Sequence, residues 1–334
     1  MPAEASACGT VFKLSVDSAP AWVNAHGLNP GNAPLRAVAL TGGVSSAVIA
    51  VTGRDVALVV KQALERLLVP DVWEARVDRT ESEVAAMRLL AELTPGSVPR
   101  VLAHDPEAHV FAMELLPAEA RNWQQEISEG RVHAHIGNWA GTTLGTWHAG
   151  TNARPELTAP FDDLELFEQL RLVPFYQAVM KRRPELAAAI EPFATELRTI
   201  KRCLVNGDYA PKNTLVGADG RRWVLDLEVA HTGNPVFDLG FFLSFAVLSV
   251  VRWPSLTAEL RALVDSFLAA YSAAAGEGFA GDAASITGHT ACLVLARTDG
   301  TSLAQFLDAD SRERAREVGI ALLSRPERGL WSWC

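Results

Sequence analysis

The hydrophobic pattern changes its period once along the chain, near residue 117, and this change constrains the fold more than any other feature. Before it, short runs rich in valine and alanine lie at residues 36–40, 47–51 and 56–62, separated by glycine-containing turns. Such runs predict an antiparallel sheet. After it, apolar residues recur at helical spacing. The order predicts an α+β fold with a small β-rich lobe and a larger, mostly helical lobe.

We expect these lobes to cover residues 1–116 and 117–334, since 334 residues are too many for one ordinary core. In the first lobe, residues 79–93 carry a helical stripe and residues 109–117 read as a further strand. The second lobe has predicted helices at residues 131–149, 164–182, 184–203, 236–251, 256–275 and 283–297.

Composition excludes several classes of protein. A formal net charge of −9 leaves no basic surplus to neutralise phosphates, which argues against a nucleic-acid partner. The longest apolar run, at residues 241–251, is too short to cross a bilayer and predicts a buried helix, so we expect no membrane association. The N-terminus lacks the pattern of a signal peptide, and we expect a cytoplasmic protein.

The four cysteines predict neither a zinc site nor a disulfide framework, because no two have the required spacing. They are Cys8, Cys203, Cys292 and Cys334.

Residues 205–216, VNGDYAPKNTLV, lead into a predicted hairpin that turns at GADG and returns through RRWVLD. An antiparallel hairpin places Asn213, before its first strand, beside Asp226, at the end of its second. Asp208 lies upstream on the same loop. Glu228 would point the same way as Asp226 if the extended conformation continues.

Such a cluster of hard oxygen ligands suits Mg²⁺ beside a substrate phosphate. Without a cation, the carboxylates would repel one another. Each residue alone also has an ordinary interpretation, with Asp208 and Asn213 as turn residues and Asp226 as a solvated strand end. The set at this spacing favours the metal site.

These motifs resemble those of the aminoglycoside phosphotransferase and choline kinase superfamily. NGDYAPKN is similar to its HGDxxxxN loop, VLDLE to its metal-binding segment, and NPVFDLG to the element that follows. In the first lobe, TGGVSSAV, VVKQAL and RTESEVAAM look most like methylthioribose kinase and its relatives. The resemblance implies a bilobal protein-kinase-like fold with ATP and Mg²⁺ as cofactors.

The resemblance also implies roles for individual residues. Asp208 matches the catalytic aspartate, which orients the acceptor hydroxyl or accepts its proton. The implied metal contacts are Asn213, Asp226 and Glu228. The implied ATP-binding residues are Lys61 on the third strand, Glu83 (or alternatively Glu81) as its partner on the helix, Gly42, Gly43, Ser45 and Ser46 in the loop over the phosphates, and Met113, Glu114 and Leu116 in the hinge.

Some positions leave alternatives open. Asp238 is interpreted as the N-cap of the helix starting at Leu239 and as a support of the catalytic loop, two roles that are compatible. His148 is typical of a packed residue at a helix end. Arg297 is a candidate contact for the acceptor substrate, or else a C-terminal helix cap. Asn206 departs from the family, which usually has histidine there.

We therefore expect a small-molecule kinase that transfers the γ-phosphate of ATP to a hydroxyl of a sugar, an antibiotic or an amino alcohol. The alternative is a catalytically weak nucleotide-binding pseudokinase or regulator, which Asn206 favours. A protein kinase is disfavoured because no DFG and APE segments flank an activation loop. The sequence leaves the acceptor, the choice between ATP and GTP, and the choice between monomer and homodimer open.

Overall fold

The computed structural model of the chain describes residues 12–40, 45–67 and 74–333. By packing, these residues form two compact units. The first contains the described residues up to Glu81 together with Val101–Leu115, and the second contains Ser82–Arg100 together with Leu116 through residue 333. Residues 82–100 therefore pack with the helical unit although they precede the predicted boundary.

The first unit is an antiparallel sheet with a short helix, α1 (Ala19–Ala25), packed on it. Its strands are β1 (Arg36–Ala39), β2 (Ser46–Thr52), β3 (Ala57–Ala63), β4 (Val101–Asp105) and β5 (Val110–Glu114), in the order β1-β2-β3-β5-β4. Burial of Trp22 and Val23 against Ile49, Leu58 and Val60 forms its core. The predicted strands at residues 36–40, 47–51 and 56–62 are confirmed, whereas β4 was not predicted.

Helix α2 (Arg79–Leu93) coincides with the helix predicted from the apolar stripe. Val84, Met87 and Leu90 are buried, as that stripe requires. The helix begins in the first unit and continues into the second.

The second unit is mainly helical and contains two small sheets. One has the order β6-β8-β9, with β6 (Arg121–Asn122), β8 (Thr214–Val216) and β9 (Arg222–Val224); the other pairs β7 (Cys203–Val205) with β10 (His231–Gly233). Its α-helices are α3 (Trp123–Ser128), α4 (Ala134–Thr151), α5 (Pro155–Thr158), α6 (Glu165–Phe167), α7 (Ala178–Arg182), α8 (Ala187–Thr199), α9 (Val236–Arg252), α10 (Thr257–Ala275), α11 (Ala283–Asp299) and α12 (Ala309–Ser324).

The helix predicted at residues 164–182 contains an irregularity that the sequence does not reveal. Between α6 and α7 the chain is π-helical over Glu168–Gln177, with Pro174 inside this stretch. Proline cannot donate the backbone hydrogen bond of a regular α-helix, and π-helical segments frequently occur at functional sites. We call Glu168–Gln177 the π segment.

Helix α9 is the apolar run that the sequence analysis assigned to a buried helix, and its residues Val236–Val251 are all buried. Within the described residues, no helix is both long enough and apolar enough to span a membrane. Cys203 and Cys292 are buried free thiols. Cys8 and Cys334 lie outside the described residues.

Helices α4 and α10 approach each other unusually closely, because three glycines spaced four residues apart on α4 face α10. These are Gly137, Gly141 and Gly145. A Cβ atom at Gly141 would lie 2.1 Å from the carbonyl oxygen of Phe267, and one at Gly145 would lie 2.8 Å from that of Tyr271. No side chain fits in this space without moving a helix backbone.

Candidate active site

The loop predicted to carry the catalytic aspartate leaves β7 through Asn206 and Gly207. Gly207 has a φ of 80°, and a Cβ atom there would lie 2.7 Å from the carbonyl oxygen of Val229, so both its conformation and its surroundings require glycine. The Oδ1 atom of Asn206 accepts a hydrogen bond of 2.8 Å from the Asp208 amide. The amide that replaces the usual histidine therefore fixes the backbone of Asp208.

Asp238 supports this loop from α9. Its carboxylate accepts hydrogen bonds from the backbone N–H groups of Asn206 (2.7 Å) and Gly207 (2.8 Å). The His148 Nε2 atom lies 3.1 Å from the same carboxylate, and its Nδ1 atom lies 2.9 Å from the Tyr271 hydroxyl. Burial raises the pKa of Tyr271, so the hydroxyl stays protonated and can donate to His148. The N-cap interpretation of Asp238 is wrong, because α9 begins at Val236 and the carboxylate bonds to the loop.

Asp208 is 4% exposed. Its two carboxylate oxygens differ sharply in their hydrogen-bond partners. Oδ2 accepts hydrogen bonds from Lys212 Nζ (2.7 Å) and Asn213 Nδ2 (2.8 Å), and it lies 3.2 Å from a guanidinium nitrogen of Arg171. Oδ1 is buried and has no hydrogen-bond partner among the described residues. A buried acceptor without a partner costs free energy unless a ligand supplies a donor, such as a hydroxyl group.

Arg171 reaches Asp208 from the π segment. Its Nε atom also donates a hydrogen bond of 2.6 Å to the carbonyl oxygen of Gly207, so one side chain fixes both the loop backbone and the carboxylate. Arg171 was not predicted, because no sequence motif marks it, and Lys212 was not predicted although it lies within the loop VNGDYAPKNTLV.

Three carboxylates form a compact group in the second unit. Single oxygens of Glu83, Asp226 and Glu228 all lie within 4.8 Å of one another, and Glu83 and Glu228 are buried. Carboxylates this close repel one another unless a cation or a proton lies between them. Glu83 was predicted as the partner of Lys61, and that role stays a prediction; its place beside the two other carboxylates was not foreseen.

The hairpin that brings Asp226 to this group differs in detail from the predicted one. Thr214 pairs with Val224, and the amide of Leu225 donates to the carbonyl oxygen of Asn213, so Leu225 rather than Asp226 faces Asn213. Asp226 has a φ of 64°, which ends the extended conformation expected to continue to Glu228. Left-handed backbone is uncommon for a residue with a Cβ atom, and such strain concentrates at functional sites.

The donor set fits a magnesium ion. Carboxylate and amide oxygens are the ligands that Mg²⁺ prefers. The amide nitrogen of Asn213 donates to both the carboxylate and the backbone carbonyl of Asp208, which leaves its amide oxygen as the atom that could contact a cation. The same residue therefore contacts Asp208, the predicted catalytic residue, and could offer its oxygen to a cation.

The predicted phosphate-binding residues that the structure describes lie in the first unit. Lys61 is buried on β3, opposite Val48 on β2 and Phe111 on β5. Ser45 and Ser46 are buried where β2 begins. Gly42 and Gly43 lie outside the described residues. The binding roles of all these residues stay predictions.

Arg79, which the sequence analysis did not single out, holds the start of β2. Its buried guanidinium donates hydrogen bonds of 2.6 Å to the carbonyl oxygens of Ser45 and Leu64. The predicted hinge begins where β5 ends. Met113 and Glu114, the last two residues of β5, pair with β3, and Leu116 lies two residues after Glu114. The predicted contact of this hinge with adenine stays a prediction.

Arg297, the candidate contact for the acceptor, lies near the end of α11. It donates hydrogen bonds to the backbone oxygen (2.7 Å) and the hydroxyl (2.8 Å) of Ser302, so it fastens the next loop. It also lies in the last turn of α11, where a positive charge interacts favourably with the helix dipole, as the cap interpretation expects. Burial lowers the pKa of Arg297 to about 10, although the negative charge of Asp208 acts in the opposite direction.

Known proteins match this chain in both sequence and structure. The model of the phosphotransferase enzyme family matches residues 36–284. A methylthioribose kinase of Pectobacterium atrosepticum is 26% identical over 231 residues, which are 61% of this chain and 57% of that protein. This chain thus spans little more than half the length of that curated relative.

Two solved structures share the fold. A choline/ethanolamine kinase family protein from Mesorhizobium loti is 19% identical, covers 93% of this chain and 95% of its own, and gives a TM-score of 0.53. A spectinomycin phosphotransferase, solved with ADP and spectinomycin, is 13% identical, covers 95% of this chain and 100% of its own, and gives a TM-score of 0.55. These likenesses confirm the predicted α+β, kinase-like fold.

Proposed function

Because the chain belongs to the phosphotransferase enzyme family, we propose that it is a small-molecule kinase that transfers the γ-phosphate of ATP to a hydroxyl group in a Mg²⁺-dependent reaction. The observation that carries this proposal is the asymmetry of Asp208. Its Oδ2 atom is held by three donors, while its buried Oδ1 atom has no hydrogen-bond partner among the described residues. This arrangement suits a carboxylate that receives a hydroxyl proton.

In the proposed reaction, Oδ1 of Asp208 accepts a hydrogen bond from the acceptor hydroxyl and orients its oxygen for in-line attack on the γ-phosphorus. The bond between this oxygen and phosphorus forms, the bond to the β–γ bridging oxygen breaks, and the hydroxyl proton passes to Asp208. The products are a phosphate ester and ADP. Asn206 and Asp238 contribute by keeping the loop backbone in place before the acceptor arrives.

Mg²⁺ bound by the carboxylates of Asp226 and Glu228 would supply positive charge at the phosphates, with Asn213 and Glu83 as further oxygen donors. Lys61 would contribute a second cation at the α- and β-phosphates. Ser45, Ser46, Met113, Glu114 and Leu116 are the described residues proposed to contact the nucleotide.

For the acceptor we propose a small molecule that carries a hydroxyl group. The names of the relatives favour sugars, amino alcohols and antibiotics, since the matched proteins include a methylthioribose kinase, a choline/ethanolamine kinase family protein and a spectinomycin phosphotransferase. Each of these names describes the relative, so the acceptor of this chain is defined here only as a hydroxyl compound.

The test is ADP release from Mg²⁺-ATP in the presence of a panel of sugars, sugar acids, amino alcohols and aminocyclitols. We expect acceptor-dependent turnover in the wild type and a loss of about a thousandfold in Asp208→Asn, which keeps the shape of the side chain but cannot accept the proton. The matched control is Asp219→Asn, since Asp219 is an exposed carboxylate in the turn before β9. Nucleotide binding without Asp208-dependent turnover for any acceptor would instead support a regulator.

A further inference from the structure

Arg171 and Lys212 form ion pairs with Asp208, and together with Arg297 they lie over two stacked aromatic rings. The rings of Phe175 and Phe241 are 6.1 Å apart. The guanidinium carbon of Arg171 lies 5.4 Å from the first ring centre and 5.8 Å from the second, Arg297 lies 6.0 Å from the first, and Lys212 Nζ lies 6.0 Å from the second. We call Arg171, Lys212 and Arg297 the basic cluster.

The basic cluster carries more charge than its surroundings neutralise. Within the described part of the chain, Asp208 is the carboxylate that forms ion pairs with Arg171 and Lys212, and no carboxylate forms one with Arg297. Three positive charges and one negative charge leave a surplus of two. Like charges that are close together in a poorly solvated place repel one another. Burial is the main cause of the lowered pKa of Arg297; the charge of Asp208 raises this pKa, and the charge of Arg171 lowers it as the smallest of the three influences.

Arg297 and Lys212 also have N–H groups that make no hydrogen bond to a described residue. The hydrogen bonds that Arg297 makes to described residues come from one terminal nitrogen, which leaves Nε and the other terminal nitrogen for a ligand. Lys212 uses one of its three N–H groups on Asp208, and its side chain is 37% exposed. Two cations beside the reacting carboxylate can therefore contact a ligand directly.

A cleft formed by the π segment, α7 and the loop after α11 has the same sign of charge. It has a volume of about 540 Å³ and is lined by Val173, Gln177, Ala178, Lys181, Arg182 and Thr301. Val173 and Gln177 belong to the π segment that carries Arg171, and Thr301 belongs to the loop that Arg297 fastens at Ser302. The lining has two basic side chains and no acidic one, so it would favour an anion.

We propose that the basic cluster is an anion-binding subsite, which holds a carboxylate or phosphate group of the acceptor while its hydroxyl lies at Asp208. This inference rests on the proposed function and specifies its substrate class as anionic hydroxyl compounds. A polycationic acceptor would meet the surplus positive charge and be disfavoured. The phosphates of the nucleotide are also anions that the basic cluster could bind. The experiment distinguishes them from an anionic group of the acceptor.

The test measures binding of inorganic phosphate by calorimetry at constant ionic strength, first to the free protein and then to the protein saturated with Mg²⁺ and a non-hydrolysable ATP analogue. We expect wild-type protein to bind phosphate in both states. Lys212→Met should weaken binding about tenfold, since it removes one charge-assisted hydrogen bond. Arg297→Met should weaken it at least as much, and Arg297→Lys should retain part of it.

The control is Lys201→Met, which removes an exposed positive charge paired with Asp162 and should leave phosphate binding unchanged. Equal binding by wild type, Lys212→Met and Arg297→Met would overturn the proposal. Loss of binding once the ATP analogue is present would also overturn it, because the anion would then be that of the nucleotide.

Asp208→Asn separates this inference from the proposed function. It removes the negative charge within the cluster, so phosphate should bind at least as tightly as to the wild type. If the protein binds phosphate but neither the wild type nor any variant turns over ATP with any acceptor, the proposed kinase activity is wrong and the anion site remains. Weaker phosphate binding in Asp208→Asn would count against the anion site itself.

Discussion

The second unit contains two charged regions that differ in sign and in construction. The acidic cluster of Glu83, Asp226 and Glu228 takes two of its members from a single segment after β9. The basic cluster takes its members from the π segment, the loop at residues 206–213 and α11. The loop at residues 206–213 connects the two regions: Asp208 contacts the basic cluster, and the Asn213 carbonyl accepts from the residue before Asp226.

This difference in charge predicts different roles for the two clusters in the proposed reaction. A reaction in which a phosphoryl group passes from a metal-bound nucleotide to a separate acceptor needs negative charge on one side to hold the metal. The opposite side can carry whatever charge complements the acceptor. If the proposed function and the proposed subsite hold, the acidic cluster serves the phosphoryl transfer and the basic cluster serves acceptor binding, so variants in the two regions should fail in different ways.

The largest expected effect is on the acidic side. Asp226→Asn should lower Mg²⁺-dependent turnover about a hundredfold or more, since it removes a charged group proposed to bind the metal. Phosphate binding at the basic cluster should remain within about twofold of wild type, since the members of that cluster lie on other segments, namely the π segment, the loop at residues 206–213 and α11. The two readouts are turnover as a function of Mg²⁺ concentration and calorimetric phosphate binding. If both fall together, the two regions are not independent.

A second prediction concerns pH and the neighbourhood of Arg171. Burial lowers the pKa of His231 to about 4. A hydrogen bond to the Val229 carbonyl and the charge of Asp238 raise this pKa. The charges of Arg171 and Lys201 lower it further. The ordinary histidine pKa is about 6.5. The unfolded chain therefore binds a proton between pH 6.5 and 4 that the folded chain does not, and stability falls as the pH falls through this window.

The contribution of His231 to this loss should reach about 3 kcal/mol near pH 4. His231→Phe replaces the imidazole with an aromatic ring that can stack on Phe167 as the imidazole does. Urea unfolding of both proteins from pH 7.5 to pH 4.5 should give a shallower slope for the variant. Parallel curves would mean that the folded protein accommodates the extra positive charge near Arg171.

The smallest expected effect is on the loop between the two regions. Asn206→Ala removes the hydrogen bond to the Asp208 amide, which should lower the free energy of unfolding by about 1 to 2 kcal/mol and turnover about tenfold. Asn206→His tests whether the residue usual in the family can replace the amide. If Asn206→Ala has wild-type turnover, the contacts of Asp238 and Arg171 suffice to hold the loop.

The same contrast explains what the sequence could reveal. Asn213, Asp226 and Glu228 were predicted to converge because turn residues and strand alternation act locally and mark a hairpin. The exact register, with Leu225 opposite Asn213, was not predicted, because it depends on where β9 ends and on the positive φ of Asp226.

The basic cluster could not be predicted in this way. Arg171 lies in a π segment, where the usual helical spacing no longer tells which residues share a face. Its distance in sequence from Asp208 leaves no local pattern that would indicate their contact. Asp238 was recognised as important, but only the packed structure decides between a cap and a loop support.

The glycines of α4 have a consequence beyond packing. Because Gly141 and Gly145 let α10 approach, the hydroxyl of Tyr271 lies within hydrogen-bond distance of His148, which in turn contacts the carboxylate that holds the catalytic loop. A single methyl group added at Gly141 would push the helices apart and draw Tyr271 away from His148. Selection for turnover would then act on Gly141 and Gly145, which have no side chain and lie outside both charged regions.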